Sequence, residues 1–419
     1  MNPERIVGGL DIGSAKTTAL IAEVVGDRHR SAMVKILGVG QAKTTGLRRG
    51  IVSDIEETTR SIKKAIQDAE RMAGTQVHSI YAGIAGEHVR AMISTGVVAV
   101  NGDEITKSDV DRANDVARAQ PIPQDRELLH AIPQEYTVDR SSGVRDPIGM
   151  IGTRLETEMY LVTIGASPAM NLRKSVERAG YHVRELVLEP LASSLSVLTE
   201  DEKELGVALV EMGAGTTDIA VFHEGKIRHL GTVNYGGNNV TSDIVQGIGV
   251  TQADAERLKE KYGCAYEPLV DPTDVIQLPS TVAQGDRHVP REVLAHIIHQ
   301  RMDEIFNLVL SEIERAGFAQ RMNGGVVITG GAAAMQGVAE LAADVFGTGV
   351  RIGSPAENIS GLSDSVDAPR FATVVGLALY GAHRSAAGFA PPSGRHRALA
   401  GAGVDRFTKR IKTWLEDFF

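Results

Sequence analysis

The feature that most constrains this chain is a short pattern that occurs twice, 200 residues apart. Near the N-terminus, the apolar residues 6–10 precede Asp-Ile-Gly-Ser-Ala-Lys-Thr-Thr at 11–18, and a second apolar run follows at 19–24. Later, the apolar residues 207–210 precede Glu-Met-Gly-Ala-Gly-Thr-Thr-Asp at 211–218, again with an apolar run behind them. Each copy predicts a β-hairpin with a turn of small residues. The recurrence predicts two related halves that grip one ligand from both sides.

The residue types in both turns suit a phosphate chain. Glycine lets backbone amides approach phosphate oxygens, hydroxyl groups donate hydrogen bonds, and lysine supplies a point charge. Carboxylates at the strand ends would hold Mg²⁺ through water, because this ion dehydrates reluctantly. The predicted phosphate contacts are Gly13, Ser14, Lys16, Gly213, Gly215, Thr216 and Thr217, and the predicted metal-binding residues are Asp11, Glu211 and Asp218.

Other readings of the two turns are weaker. Either hairpin alone could be an ordinary turn in which glycine and aspartate serve only the backbone. A Walker P-loop requires adjacent Gly and Lys followed by a helix, whereas two residues separate Gly13 from Lys16 and a strand-like segment follows. A Rossmann dinucleotide turn is disfavoured because Asp11 would face the pyrophosphate.

Three further segments predict a nucleoside site. A buried strand at 326–329 ends in Gly330, Gly331 and Ala332, before a helix predicted over 335–346. Gly236, Gly237 and Asn238 open a second helix, whose free N-terminal amides could approach the ligand. The helix 252–262 places Glu256 and Lys259 on one face, where they could contact a ribose or form a solvated ion pair.

Composition excludes several classes of protein. The 419 residues carry a formal net charge of -9, and length predicts two to four structural units. An acidic body argues against nucleic-acid binding. The single cysteine, Cys264, cannot form an intramolecular disulfide, and no run of eighteen apolar residues or signal pattern occurs. We therefore expect a cytosolic protein that is not inserted in a membrane.

The last sixteen residues, 404–419, combine aromatic and basic side chains. The apolar positions recur every three or four residues and so line one face of a helix. Such a helix suits the surface of an anionic membrane, at the end of a flexible tether of residues 386–403. The alternative is a helix that packs on the body or on a partner. The predicted membrane residues are Phe407, Ile411, Trp414, Leu415, Phe418 and Phe419, with Arg406, Lys409, Arg410 and Lys412 facing the headgroups.

The two turns, Glu189-Pro190-Leu191-Ala192 and Thr329-Gly330-Gly331 occur in an order that resembles the phosphate and adenosine motifs of the actin, Hsp70 and sugar-kinase ATPase superfamily. The resemblance covers residues 5–383. It implies an α/β fold of two actin-like domains around an ATP cleft, with Glu189 and Asp11 as the catalytic residues. By itself, Glu189 could simply be a favourable carboxylate at a helix N-terminus. Since the family usually has Asp where this chain has Glu211, the resemblance implies slow hydrolysis at most.

A segment at 85–164 predicts a small inserted α/β module, with strands at 92–100, 128–136 and 155–164 and a helix at 108–119. Its position, and the loop 144–150, resemble the SHS2-like 1C subdomain of the FtsA family of bacterial cell-division actin homologues. By that resemblance we expect subdomain 1A at 1–84, 165–198 and 359–385, 2A at 199–235 and 325–358, and 2B at 236–324. The linker and the amphipathic helix would follow at 386–403 and 404–419.

The FtsA resemblance also implies partners. Members of this family are peripheral proteins on the cytoplasmic face of the inner membrane at the division site, where they anchor FtsZ filaments and help assemble the septal ring. The implied partners are the FtsZ C-terminal peptide, further copies of the chain in an actin-like filament, anionic lipid, and downstream division proteins at the insert. Arg301 in the helix predicted over 290–316 is the candidate contact to the peptide carboxylate. A solvated helix charge is the alternative role for this arginine.

Two other classes share parts of the pattern. A pilus-assembly actin homologue has an insert near this position but ordinarily no amphipathic C-terminal helix. A soluble phosphotransferase of the sugar-kinase branch would need an acceptor pocket and a catalytic aspartate, which the sequence does not reveal. An Hsp70 chaperone would need a substrate-binding domain after the ATPase region. The sequence therefore favours the FtsA resemblance, with ATP and Mg²⁺ as cofactors.

Overall fold

The computed structural model describes residues 5–25, 33–278 and 287–386, in which the chain forms two halves of similar topology. The first half opens with three antiparallel strands, and a helix then leads to a parallel strand. The elements before the insert are β1 (Ile6–Ile12), β2 (Lys16–Val25), β3 (Met33–Lys43), β4 (Leu47–Arg48), β5 (Ile51–Val52), α1 (Ile55–Ala73) and β6 (Ser79–Ile84).

The insert is a four-stranded antiparallel sheet with one helix against it. A capping box between Thr106 and Asp109 starts this helix. The predicted helix and three strands agree with the structure to within two residues, and the segment between the last two predicted strands contains an additional strand. The elements of the insert are β7 (Arg90–Ala99), α2 (Lys107–Arg118), β8 (Arg126–Val138), β9 (Ser141–Val144) and β10 (Arg154–Gly165).

The remaining elements complete the first half and build the second. After the insert come α3 (Ala166–Arg178), β11 (His182–Leu188) and α4 (Glu189–Val197). The second half contains α5 (Glu200–Leu205), β12 (Val207–Met212), β13 (Thr217–His223), β14 (Lys226–Val233), α6 (Gly237–Ile244), α7 (Gln252–Tyr262), β15 (Val275–Gln277), β16 (His288–Pro290), α8 (Arg291–Arg315), β17 (Val326–Thr329), α9 (Val338–Phe346) and β18 (Val350–Ile352). The chain then returns to the first half with β19 (Ile359–Gly361) and α10 (Ala372–Ala386).

The two main sheets repeat one strand order. The first runs β11-β6-β1-β2-β3-β19 and the second β18-β17-β12-β13-β14. In each, the central strand pairs antiparallel with the hairpin strand beside it and parallel with the strand on its other side. The duplication predicted from the two turns is therefore confirmed, and the fold is the expected α/β actin-like one with a small inserted sheet.

The last described helix, α10, packs closely against the first sheet because β1 contains glycine. A Cβ atom on Gly9 would lie 2.8 Å from the carbonyl oxygen of Val374. The buried residues Val374, Leu377 and Ala378 of α10 cover this face of the sheet, while α1 and α3 cover the other. Helices on both faces are the arrangement that buries a mixed sheet.

One hydrophobic cluster joins the insert to both halves. It contains Ile132 and Tyr160 of the insert, Leu191 of α4, and Val207 and Leu209 of β12, all of them buried. Because these residues share one core, the insert, the first half and the second half pack against one another at this point. This packing positions α4, which carries Glu189 at its first residue.

Candidate functional site

The two glycine turns have the same hydrogen-bonded geometry. The Gly13 amide donates to the Lys16 carbonyl over 3.1 Å, and the Gly213 amide donates to the Thr216 carbonyl over 2.9 Å. In the flanking ladders Asp11 lies opposite Thr18, as Glu211 lies opposite Asp218, so the strand registers also agree. The chain thus builds the same turn twice, at the same place in each sheet.

The turns meet across the cleft between the halves. A Cβ atom on Gly215 would lie 2.8 Å from Oγ of Ser14, so only glycine allows this approach without a shift. Within the part of the chain that the structure describes, the amides of Ser14, Ala15, Ala214 and Gly215 donate no hydrogen bond. Convergent amides of this kind form an anion-binding concavity.

The hydroxyl and lysine side chains of the turns have different surroundings. Thr216 donates to Oδ2 of Asp218 over 3.0 Å, and Thr217 is buried and donates to the carbonyl of Tyr235 over 2.9 Å. The Thr217 hydroxyl therefore supports the turn rather than facing a ligand. Ser14 is half-buried in the cleft, and Lys16 is exposed at the start of β2.

Two of the four carboxylates at the cleft floor are tied to hydroxyl groups. Glu211 accepts hydrogen bonds from Ser193 of α4 (2.9 Å) and from Thr373 of α10. Asp218 accepts from Thr232 over 2.7 Å as well as from Thr216. Glu211 therefore links the second half to two helices of the first, and its role as a metal-binding residue stays a prediction.

The other two carboxylates, of Asp11 and Glu189, are half-buried and accept no hydrogen bond from any described residue. Glu189 is the first residue of α4, and a Cβ atom on Gly83 would lie 2.8 Å from its Cγ. Glycine at this position leaves room for the glutamate at the floor. Asp11 and Glu189 are thus the carboxylates of the cleft that are available to a ligand.

Electrostatics at the floor favour a bound cation. Burial raises the pKa of Asp11 to about 8, and the charge of Glu211 adds to this effect. Burial raises the pKa of Glu211 to about 7, and burial together with the charges of Asp11, Glu211 and Asp218 raises that of Glu189 well above its ordinary value. Four clustered carboxyl groups cannot all ionise there unless a cation offsets their charge.

The donor set fits Mg²⁺ held through water. Among the described residues, no three carboxylate, imidazole or thiol groups lie close enough to coordinate one ion directly. Mg²⁺ usually keeps several of its waters and takes further ligands from substrate phosphates. The carboxylates of Asp11 and Glu189 and the open amides of the turns match that mode of binding.

Residues predicted to contact the nucleoside converge in the second half. A Cβ atom on Gly237 would lie 3.5 Å from Nζ of Lys259 and 3.7 Å from Cβ of Ala332. Lys259 Nζ donates to the Gly237 carbonyl (3.0 Å), to Thr241 Oγ1 (2.7 Å) and to Glu256 Oε2 (2.8 Å). The lysine side chain is 10% exposed and the glutamate side chain 42%, so the ammonium end of this ion pair is buried while the carboxylate end is partly solvated.

One prediction about this region is wrong. The amides of Gly237 and Asn238 are not free, because they donate to the carbonyls of Gly213 (3.0 Å) and Ala214 (2.8 Å) in the second turn. Gly236 packs against the same turn, with an amide that donates to the Asn239 side chain over 3.0 Å. The start of α6 therefore supports the turn instead of offering amides to a ligand.

The glycine pair after β17 has two separate roles. Gly330 has a φ of +91° and packs on the carbonyl oxygen of Met212, 2.5 Å from where its Cβ would be. Gly331 is exposed, and a Cβ atom there would meet nothing within 4 Å. The helix predicted from residue 335 begins at Val338 and follows a short 3₁₀ turn, Gly331–Ala334. Gly331 thus leaves open space beside Ala332.

Sequence analysis did not identify two arginines beside the turns. Arg48 and Arg49 line a cavity of about 420 Å³ between the halves. The sequence has two adjacent basic residues directly before Gly50, but no periodicity distinguishes them from other surface arginines. The other residues around this cavity are Ser14, Leu47, Gly215, Asn238, Asn239 and Ser242.

Arg301 has carboxylate partners within the chain. It lies in α8, where Nε and Nη2 contact the two oxygens of Asp243 at 2.5 and 3.1 Å and Nη1 contacts Glu304. Its guanidinium also lies 5.6 Å from the ring centre of Tyr235. A peptide carboxylate would have to displace or share these partners, so the predicted contact requires rearrangement.

The predicted tether begins at Ala386, which is the last residue of α10, and the rest of the tether and the terminal helix, including all ten predicted membrane residues, lie outside the described residues. Within ranges 5–25, 33–278 and 287–386, no helix has the length and apolar character needed to cross a bilayer.

The chain is similar in sequence to a family of bacterial cell division proteins. The family model "Cell division protein FtsA" matches residues 208–376, and "SHS2 domain inserted in FTSA" matches residues 86–163. The chain is 39% identical to the cell division protein FtsA of Pseudomonas aeruginosa, over 99% of this chain and 98% of that protein. It is 40% identical to the Neisseria meningitidis protein of the same name, over 99% of each.

Solved structures with similar folds are more distant in sequence. A chain of a PilM-PilN type IV pilus biogenesis complex matches with a TM-score of 0.63 at 16% identity, over 90% of this chain and 98% of that one. MreB5 of Spiroplasma citri bound to ADP matches with a TM-score of 0.53 at 15% identity, over 92% and 98%. These likenesses show an actin-like fold.

Proposed function

The chain belongs to the FtsA family of cell division proteins, and from this premise we propose that it is an ATP-binding, actin-like protein that anchors FtsZ filaments to the inner membrane. The observation that carries the nucleotide-binding part is the pair of matched glycine turns, which meet at Ser14 and Gly215 and whose tip amides donate no hydrogen bond within the described residues. Phosphate chains bind where backbone amides converge in this way.

Each part of the cleft has a role in this proposal. The two turns hold the phosphates, and Gly237, Lys259 and Ala332 form one wall of the nucleoside site. Asp11 holds Mg²⁺ through water. When bound, the ion neutralises phosphate charge.

Glu189 is the residue placed to orient an attacking water, since its oxygens have no other described partner. Burial and the charges of the neighbouring carboxyl groups raise its pKa, so a bound cation would be needed to keep it ionised as a base. Because Glu211 stands where the superfamily usually has aspartate, hydrolysis is slow at most in this proposal, and ATP serves mainly as a bound ligand that controls assembly.

The membrane part of the proposal relies on residues 404–419. Half-burying six apolar side chains contributes about 1 kcal/mol each, from which the cost of ordering a free tail must be subtracted. One tail therefore binds a membrane weakly and reversibly. Self-association of the body into an actin-like filament would align many tails and strengthen binding by orders of magnitude. The protein is then peripheral, on the cytoplasmic face at the division site.

The partner part of the proposal places the FtsZ C-terminal peptide in the segment 236–324 and downstream division proteins on the insert. Arg301 is the candidate peptide contact, reached when the peptide carboxylate replaces Asp243 as its partner.

The experiment that tests the proposed function is vesicle flotation of FtsZ with the purified full-length protein, ATP and anionic lipid. We expect FtsZ to float only when the protein is present and to stop floating when residues 404–419 are deleted.

Two matched variants make this experiment specific. Trp414→Glu should release the protein and FtsZ from vesicles together, whereas Arg301→Glu should release FtsZ alone. Flotation of the protein at full strength without residues 404–419 would contradict the proposed membrane anchor. Failure of FtsZ to float with vesicle-bound protein would contradict the proposed anchoring of FtsZ.

A further inference from the structure

The connection between β4 and β5 has an unusual backbone. Arg49 has a φ of +49° and Gly50 one of +76°, both in the left-handed region. Glycine adopts this conformation readily, but arginine does so at a cost, because its Cβ crowds the backbone. Non-glycine residues held in this region cluster at functional sites, where the surrounding structure maintains the strain.

Close packing on both sides holds the connection in place. A Cβ atom on Gly50 would lie 2.5 Å from the carbonyl oxygen of Ala85, and one on Gly86 would lie 3.0 Å from the Arg49 carbonyl oxygen. On the opposite side, the Cα of Arg49 lies 3.5 Å from the position that a Cβ of Gly215 would take. Arg49 is therefore wedged between the end of β6 and the second glycine turn.

Arg49, Ser14 and Gly215 meet at one point of the cleft. Ser14 comes from the first turn and Gly215 from the second, and all three residues line the same cavity of about 420 Å³. The Arg49 side chain is exposed and forms no ion pair or hydrogen bond with any residue that the structure describes. An arginine that lines a cavity together with both glycine turns, and that has no partner among the described residues, is a typical donor to phosphate.

Position along the cleft indicates which phosphate this is. The nucleoside side, with Gly237, Lys259 and Ala332, belongs entirely to the second half. Arg49 comes from the first half and enters where the two turns meet. A nucleotide whose base lies against the second half therefore reaches Arg49 with the phosphate farthest from its nucleoside.

We propose that Arg49 binds the terminal phosphate of a nucleoside triphosphate and lets the cleft distinguish the triphosphate from the diphosphate. This proposal rests on the proposed binding of ATP in the cleft. The proposal also explains the strained backbone, because the left-handed turn brings Arg49 to the place where the two glycine turns meet. Neighbouring Arg48 lines the same cavity but ends a regular strand.

The test compares the full-length protein with Arg49→Gly and with Arg71→Ala, a change at an exposed arginine of α1 outside this cavity, by equilibrium fluorescence titration with mant-ATP and mant-ADP in the presence of Mg²⁺. Glycine removes the guanidinium and accepts the positive φ, so this variant should unfold at the same or a higher temperature. We expect Arg49→Gly to weaken mant-ATP binding about tenfold or more. Binding of mant-ADP should change less than about twofold, and Arg71→Ala should bind both nucleotides like the original protein.

Each result decides one claim. An equal loss for both nucleotides, or no loss for mant-ATP, would overturn the role of Arg49 while leaving nucleotide binding intact. Failure of the unaltered protein to bind either nucleotide would overturn the proposed nucleotide-binding function itself. Partial recovery of mant-ATP binding in Arg49→Lys, which restores a charge without the planar donor group, would support a direct phosphate contact.

Discussion

The backbone amide of Leu188 donates a hydrogen bond of 3.1 Å to Nε2 of His130, which lies 58 residues earlier in the inserted sheet. Both residues are buried, and Leu188 immediately precedes Glu189 at the start of α4. Burial lowers the pKa of His130 to about 3, which keeps the ring neutral and able to accept. The insert is therefore bonded to the residue that introduces the candidate catalytic glutamate.

Replacing His130 should test this link. His130→Phe keeps a ring but leaves the buried Leu188 amide without an acceptor, and we expect a loss of about 1–3 kcal/mol in the free energy of unfolding. His130→Gln supplies an acceptor oxygen at a similar reach and should lose less. Urea denaturation of both variants measures the difference. Equal losses would show that ring packing, rather than the hydrogen bond, sets the stability.

A second prediction concerns pH and Asp11. Its pKa rises from an ordinary 3.8 to about 8 on folding. Between these values the folded, ligand-free protein binds more protons than the unfolded chain, so this carboxyl group makes unfolding easier as pH rises from about 4 to 8. Asp11→Asn should remove that contribution and raise the unfolding temperature at pH 8 but not at pH 4.

The binding affinity for Mg²⁺ and ATP should depend on pH in the opposite direction from the stability of the ligand-free protein. Mg²⁺ and ATP bind best when the floor carboxylates are ionised, so affinity should increase as pH rises through 7 and 8. Asp11→Asn should abolish most of this increase. Isothermal titration at pH 6, 7 and 8 would contradict the interpretation if the unaltered protein and the variant showed the same pH dependence.

The approach of the two turns gives a third prediction. Gly215→Ala places a methyl group 2.8 Å from the Ser14 hydroxyl, so the serine side chain or the turn has to move. We expect nucleotide affinity to fall about tenfold or more, while the fold loses about 1 kcal/mol or less. Gly349→Ala is the matched control, because a Cβ atom there meets nothing within 4 Å. It should leave both affinity and stability unchanged.

Thr373 gives a fourth prediction. Its hydroxyl donates to the buried Glu211, and its loss would remove a bond that lowers the pKa of this carboxyl group. Thr373→Val keeps the shape and should destabilise the protein by about 1–3 kcal/mol at pH 8, where Glu211 is ionised. Thr373→Ser should restore most of the loss. A loss that is equally large at pH 5 would show that packing, not charge, is responsible.

The parts of the fold that depend on near neighbours along the chain could be predicted from the sequence. The two turns, their strands and the order of elements in the insert follow from hydrophobic periodicity and turn residues, which depend on near neighbours. Strands β3 and β14, which pair with the second strand of each hairpin, were not predicted. Contacts between distant segments were also missed, because a motif carries no information about the residues that fold against it.

The wrong prediction illustrates this limit. The sequence at Gly237 and Asn238 has the form of a helix start with open amides, yet the second turn occupies both of them. The hydrogen bond from Thr373 to Glu211, 162 residues away, is likewise not indicated by the sequence around residue 211. The left-handed conformation of Arg49 depends on Ala85 and Gly215, which no pattern around residue 49 can reveal.

The helix α10 has a mechanical consequence. It begins beside the cleft, where Thr373 bonds to Glu211, and it ends at Ala386, from which the remaining 33 residues of the chain continue. Fifteen helical residues span about 22 Å. Since most of this helix is buried against β1, it behaves as a stiff rod with one end at the cleft floor. One buried helix therefore connects the cleft floor directly to the C-terminal segment 387–419.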